Sequence, residues 1–198
     1  MKKNWTGNKN STFSALGASN HSNHEREKHD FYATDPNAID SLFAVHEFSK
    51  KIYEPACGMG HLSIRMSARG KEVKSTDLIY RGIGEGGVDF LHDEIEPIDY
   101  DIITNPPYKY AQDFVEKSLE IVQEGNQVTM FLKLTFLEGQ KRRKFFDKYP
   151  PKNIYVFSKR SQCAINGDEE MFKKSSAACY AWFVWEKGVT TKPIIDWI

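Results

Sequence analysis

The 198-residue sequence predicts an α/β domain built on a doubly wound, mostly parallel seven-stranded sheet with an antiparallel edge strand. Three observations carry that expectation. From Phe31 onward, short apolar runs alternate with apolar stripes at helical spacing, the pattern of β-α units joined by right-handed crossovers. The runs end in acidic, amide or turn residues at Glu54, Asp77 and Asn105, where open α/β sheets carry their chemistry. The last two runs, Asn153 to Phe157 and Ala178 to Glu186, have no helical pattern between them and so are expected to form an antiparallel edge.

Residues 1–30 are polar and rich in Asn, Ser and His, a composition that buries too little surface to fold alone, so a flexible tail is expected. Trp5, Phe13 and Leu16 are its apolar exceptions, and His21, His24 and His29 lack the companion cysteines or carboxylates of a metal site. Residues 31–198 then read as a single domain. Asp35 at an N-cap with Pro36 after it opens a helix through Ile39, Leu42 and Phe43. Lys51 to Glu54 is a short strand, and Leu62, Ile64 and Met66 mark a helix that stops at Gly70. Lys71 to Thr76 is the second strand, a glycine-rich loop (82–87) follows, and Val88 to Leu91 reads as the third. Tyr100 to Thr104 is the fourth. Phe114, Val115, Leu119 and Ile121 mark a helix ending near Gly125, Gln127 to Leu132 is the fifth strand, and Gln140 to Tyr149 is a helix closed by Pro150-Pro151.

The candidate catalytic stretch is Asn105-Pro106-Pro107-Tyr108 at the end of the fourth strand. Two prolines fix φ and remove two N–H groups, so the strand tip is stiff. It presents an amide oxygen from Asn105, a carbonyl from Pro106 and an aromatic face from Tyr108. Two acceptors match the two N–H bonds of a conjugated amine, a poor nucleophile that gains electron density when both are engaged. An Asn-Pro-Pro turn that merely ends a strand is the alternative, and context decides between them.

The context is a glycine turn between strand and helix, Glu54-Pro55-Ala56-Cys57-Gly58-Met59-Gly60, which admits a ligand close to the backbone. It lacks the third glycine of the dinucleotide fingerprint, which counts against a nicotinamide enzyme. Asp77, about twenty residues beyond at the next strand end, is placed for ribose hydroxyls. Asp89 at the following strand end is placed for an adenine amino group, with Phe90 packing on the ring.

Together these motifs resemble the S-adenosylmethionine-dependent DNA adenine-N6 methyltransferases. Asn-Pro-Pro-Tyr at 105–108 matches their catalytic motif in full, the 54–60 turn is similar to their cofactor loop, and Tyr32 to Pro36 resembles their N-terminal motif. The motif order is that of the gamma class, and the resemblance runs from Phe31 to Glu186. It implies the Rossmann-like class I methyltransferase fold, with S-adenosylmethionine as cofactor and S-adenosylhomocysteine as product. It also implies that Thr34, Glu54, Ala56 and Gly58 hold the methionine end, framed by Pro55, Cys57 and Gly60, with Asp77 on the ribose and Asp89 with Phe90 on the adenine. A flipped adenine would enter at Asn105, Pro106, Pro107 and Tyr108. The Asn-Pro-Pro-aromatic tetrad also occurs in RNA guanine-N2 and protein glutamine-N5 methyltransferases, and an RNA or glutamine substrate is the alternative.

Gamma-class enzymes usually carry a separate target-recognition domain, which this sequence does not display after its last strand; a separate specificity partner is one way to supply it. Net charge is zero, so attraction to DNA must be local. Between Gly139 and Lys174 ten Lys/Arg face four Asp/Glu, and Lys109, Lys141, Arg142, Arg143, Lys159, Arg160, Lys173 and Lys174 are the candidate phosphate contacts. The three cysteines are too scattered for a disulfide framework or a zinc site. No metal is expected. No run reaches the length of a membrane span or shows the apolar centre of a secretory signal, so a cytoplasmic protein is expected.

Overall fold

A computed structural model of the chain describes residues 32–159, 161, 163–165 and 178–198. The 1–30 tail with Trp5, Phe13, Leu16 and its histidines lies outside those residues, as do Arg160, Lys173 and Lys174.

The strands are β1 (Tyr32–Thr34), β2 (Lys51–Glu54), β3 (Glu72–Asp77), β4 (Glu85–Gly86), β5 (Asp101–Thr104), β6 (Gln127–Lys133), β7 (Asn153–Val156), β8 (Cys163–Ile165), β9 (Tyr180–Glu186) and β10 (Ile194–Trp197). The helices are α1 (Pro36–Val45), α2 (His61–Ala68), α3 (Ala111–Ile121) and α4 (Gln140–Lys148). Asp35 caps α1 as expected, its carboxylate accepting the Asn37 N–H at 2.9 Å. Helix α2 begins at Gly60 in the left-handed region, φ 77°.

Eight strands form the main sheet in the order β4-β3-β2-β5-β6-β9-β7-β10. Every neighbouring pair is parallel except those made by β9, which runs antiparallel to β6 and to β7. The chain lays β2, β3 and β4 outward in one direction, then returns to lay β5 and β6 in the other. The order therefore reverses between β2 and β5, and the carboxyl ends of these two strands mark the crevice position of an open α/β sheet.

Alternation along the strands fills a core on each face. Ile102, Val128, Met130 and Phe183 join Phe114 and Val115 of α3 and Phe145 of α4. Ile103, Phe131, Trp182 and Val184 join Ala38, Ile39 and Leu42 of α1 and Leu62 and Met66 of α2. Trp182 is fully buried, and its indole N–H donates to the Ala38 carbonyl at 3.0 Å, tying β9 to α1.

Two expectations need correction, and one connection adds a strand that was not expected. The third strand is not at 88–91: the Asp89 carboxylate accepts the Leu91 and His92 N–H groups, closing a turn, and the strand is the two-residue β4 before it. The sheet has eight strands rather than seven, because β10 adds in parallel outside β7. The 158–176 connection contributes β8, which pairs antiparallel with β1 in a separate two-stranded ribbon, Thr34 opposite Cys163.

Trp182 is the test of this packing. Trp182→Ala is expected to lower stability by about 3–5 kcal/mol, read as a shift in urea midpoint with an unchanged slope.

Candidate active site

Asn105 follows β5 immediately, and Glu54 ends β2 across the reversal, so the two stand on either side of the crevice. The prolines carry the chain out of the strand, and a single 3-10 turn, Tyr108–Tyr110, follows, the Tyr110 N–H bonding the Pro107 carbonyl at 2.8 Å. Asn105 is half-buried, and its Nδ2 donates to Thr34 Oγ1 at 2.9 Å. Cys163 lies across the ribbon from Thr34, with its Sγ 3.4 Å from the Tyr108 hydroxyl. The β1–β8 ribbon thus braces both polar ends of the tip. Tyr108 packs at 6.1 Å from Tyr180, and Lys133 Nζ, at the end of β6, sits 5.1 Å from its ring centroid.

Burial raises the Tyr108 hydroxyl well above its ordinary value and pushes the Cys163 thiol up to about 11, so both groups are neutral at pH 7. Glu54 shows the same effect more consequentially. It is buried, accepts a bond from Ser63 Oγ, and burial pushes its pKa up to about 8. Burial likewise pushes the Cys57 thiol up to about 12.

The glycine turn is held by backbone bonds: Cys57 N–H to the Thr76 carbonyl at 3.0 Å and Gly60 N–H to the Cys57 carbonyl at 2.7 Å. Gly58 N–H donates to Asp77 Oδ2 at 2.8 Å, which joins the tips of β2 and β3. Asp77 Oδ1 accepts from the Ile79 N–H and from Arg81, each at 2.9 Å. A Cβ on Gly60 would lie 2.5 Å from Ile83 Cγ2, so only glycine lets the 82–87 loop close over the turn. Pro55 is buried, and Ala56 packs against the first core.

The expected cofactor residues therefore divide. Glu54, Ala56, Cys57, Gly58, Gly60 and Asp77 come together at the crevice. Thr34 stands at the Asn105 amide. Asp89 lies on the turn after β4 and pairs with His92 at 3.0 Å, which lowers its pKa. Phe90 is a core residue, its ring 5.0 Å from Phe114 and 6.0 Å from Tyr53, so the expected packing of its side chain on a ligand ring is corrected.

The candidate phosphate contacts divide as well. Arg142 lies 4.4 Å over the Phe136 ring and donates to the Thr135 carbonyl, and Arg143 pairs with Asp147 at 2.9 Å. Both are engaged within the fold. Lys109, Lys141 and Lys159 are exposed and make no ion pair among the described residues. Sequence reasoning missed Ser63, Arg81, Lys133 and Cys163. The four-residue spacing of Asp77 and Arg81 was a readable signal; the pairing of Thr34 with Cys163 had none.

Among the described residues no group of His, Cys, Asp or Glu is arranged to hold a metal, and no helix is long and apolar enough to cross a membrane.

Strand order, the antiparallel β9 and the crevice define a Rossmann-like class I methyltransferase fold. One similar solved structure, a Listeria monocytogenes chain described as a class I S-adenosylmethionine-dependent methyltransferase, matches at TM-score 0.54 and 15% identity, over 82% of this chain. This chain spans 62% of that protein's length. The 23S rRNA methyltransferase ErmE matches at TM-score 0.56 and 18% identity, over 79% of this chain and 70% of its own. The type IIG restriction endonuclease BpuSI matches at TM-score 0.52 and 16% identity, over 78% of this chain and 24% of its own. No family model and no curated protein matches the sequence.

Glu54 makes the folded state bind a proton that the unfolded chain releases above its ordinary pKa of 4.5. Stability should therefore fall as pH rises from 4.5 toward 8. Glu54→Gln is expected to flatten that slope in urea titrations across the window.

Proposed function

We propose that the chain transfers a methyl group from S-adenosylmethionine to the N6 amine of adenine in DNA. The observation that carries this reading is the braced Asn105–Tyr108 tip, facing a glycine turn and two buried or half-buried carboxylates across the reversal of the sheet.

The residues at the crevice fit the cofactor. Gly58, at φ 54°, carries its N–H to Asp77 and leaves the backbone there without a side chain, as close approach of a ligand requires. Asp77 Oδ2 accepts one protein N–H and has a second lone pair for a ribose hydroxyl. Glu54 and the Gly58 backbone would hold the methionine end within the frame of Pro55, Ala56 and Cys57. Asp89 would take the adenine amino group. A cationic ammonium beside Glu54 favours its ionised form, so binding there releases a proton. The cofactor supplies a methyl carbon on a cationic sulfur, which leaves as a neutral thioether.

The chain's own residues prepare the acceptor. Thr34 engages Asn105 Nδ2, and Oδ1, which is buried in this structure, is the amide atom that would accept from an incoming amine. The Pro106 carbonyl is the second acceptor on the same stiff segment. Bonds to both N–H groups strengthen as positive charge develops on nitrogen while its lone pair forms the new N–C bond. Tyr108 offers its ring to the planar base, a contact worth roughly 1–3 kcal/mol per base. Neutral Tyr108 and Cys163 cannot act as bases, so the proton is lost to solvent after methyl transfer, when the nitrogen is cationic and acidic.

Incubation with tritiated cofactor and one cell lysate, followed by counting of the DNA, RNA and protein fractions, tests this reading. Label is expected in DNA as N6-methyladenine. Asn105→Ala should lower the rate by about 10²–10³-fold while cofactor affinity by calorimetry stays near wild type. Label confined to RNA or protein would move the substrate to that class.

A further inference from the structure

A polar groove opens beside Tyr108, between the Tyr108–Asp113 segment and the start of α4 at Glu138–Arg142, with a volume of about 820 Å³. That is within the range of ligand clefts. It begins beside Tyr108, at the tip itself.

The lining is specific in chemistry. Lys109 and Lys141 are exposed on opposite walls without an ion-pair partner among the described residues. Gln112 and Gln140 add amides beside them, and Arg142 is fixed over Phe136 as part of the rim. Asp113 and Glu138 are the opposing acids. Lys133, on the Tyr108 ring, extends the positive edge to the tip itself. Tyr110, 42% exposed, lines the neighbouring cavity that shares Asp113 with the groove, and Lys109 Nζ lies 4.9 Å from its centroid. Basic side chains interleaved with exposed aromatic faces are what a single nucleic-acid strand requires.

We propose that this groove seats the DNA strand adjoining the target nucleotide, with Lys109 and Lys141 each neutralising one phosphate and Tyr110 receiving a neighbouring base. The inference rests on the adenine-methylation reading for which nucleotide is the target. It goes further in placing the strand on the α4 side of the tip rather than along the whole basic 139–174 stretch.

The test is fluorescence anisotropy of a labelled single-stranded oligodeoxynucleotide with the full chain across a salt series. Lys109→Ala and Lys141→Ala should each reduce the slope of log affinity against log salt by about 0.7, and the pair by about 1.4. Lys192→Ala, a matched charge removal in an exposed loop away from the groove, should leave the slope unchanged. Cofactor calorimetry and thermal melting confirm that each variant is folded. Wild-type slopes in both groove variants, absence of strand binding by wild type, or tighter groove-dependent binding of an RNA of the same sequence each overturn the proposal. Methyl counts in the same samples separate the two claims. Adenine methylation with unaltered slopes sinks the groove alone; groove-dependent binding without adenine methylation sinks the methylation reading alone.

Discussion

The reversal of strand order between β2 and β5 is the constraint from which the rest of the site follows. Right-handed crossovers force β3 and β4 to one side and β6 onward to the other. Two adjacent strands are then left with their carboxyl ends diverging and no connection passing over them. Glu54 and Asn105 occupy those two ends. The two prolines make Asn105-Pro106-Pro107 stiff at the place where the strand order reverses.

The electrostatics of the crevice are those of a dry site. Burial keeps Tyr108, Cys163 and Cys57 protonated, and it pushes Glu54 up to about 8. Asp77, by contrast, is stabilised by two N–H groups and Arg81. Two acids one strand apart thus sit in different surroundings, Asp77 among N–H donors and Arg81, Glu54 buried beside Ser63.

Most of the architecture was legible because it is local. Asp35-Pro36 announces α1, Gly60 starts α2, and alternating Ile102 and Ile103 point to opposite cores. What was not legible depends on partners distant in sequence. Val88 to Leu91 has strand-like residues, yet the Asp89 carboxylate takes the backbone donors and makes a turn. β10 gains its identity from β7, and its Ile194 and Trp197 stay exposed, so no burial pattern marks it. The basic run was visible as charge, and the four-residue spacing of Arg143 and Asp147 on one helix was readable, but nothing local marked Arg142 as the cover of Phe136. The Asn-Pro-Pro-Tyr tip was readable; the ribbon that braces it was not.

That ribbon has a consequence for how the protein comes into being. Asn105 takes its hydrogen-bond partner from 71 residues upstream, and Tyr108 takes its thiol contact from 55 residues downstream. Synthesis is vectorial, so a nascent chain that has just released the tip still lacks β8. The tip is therefore braced only after residue 163 has been made, and a product truncated before it would carry the Asn105–Tyr108 segment without its Cys163 contact.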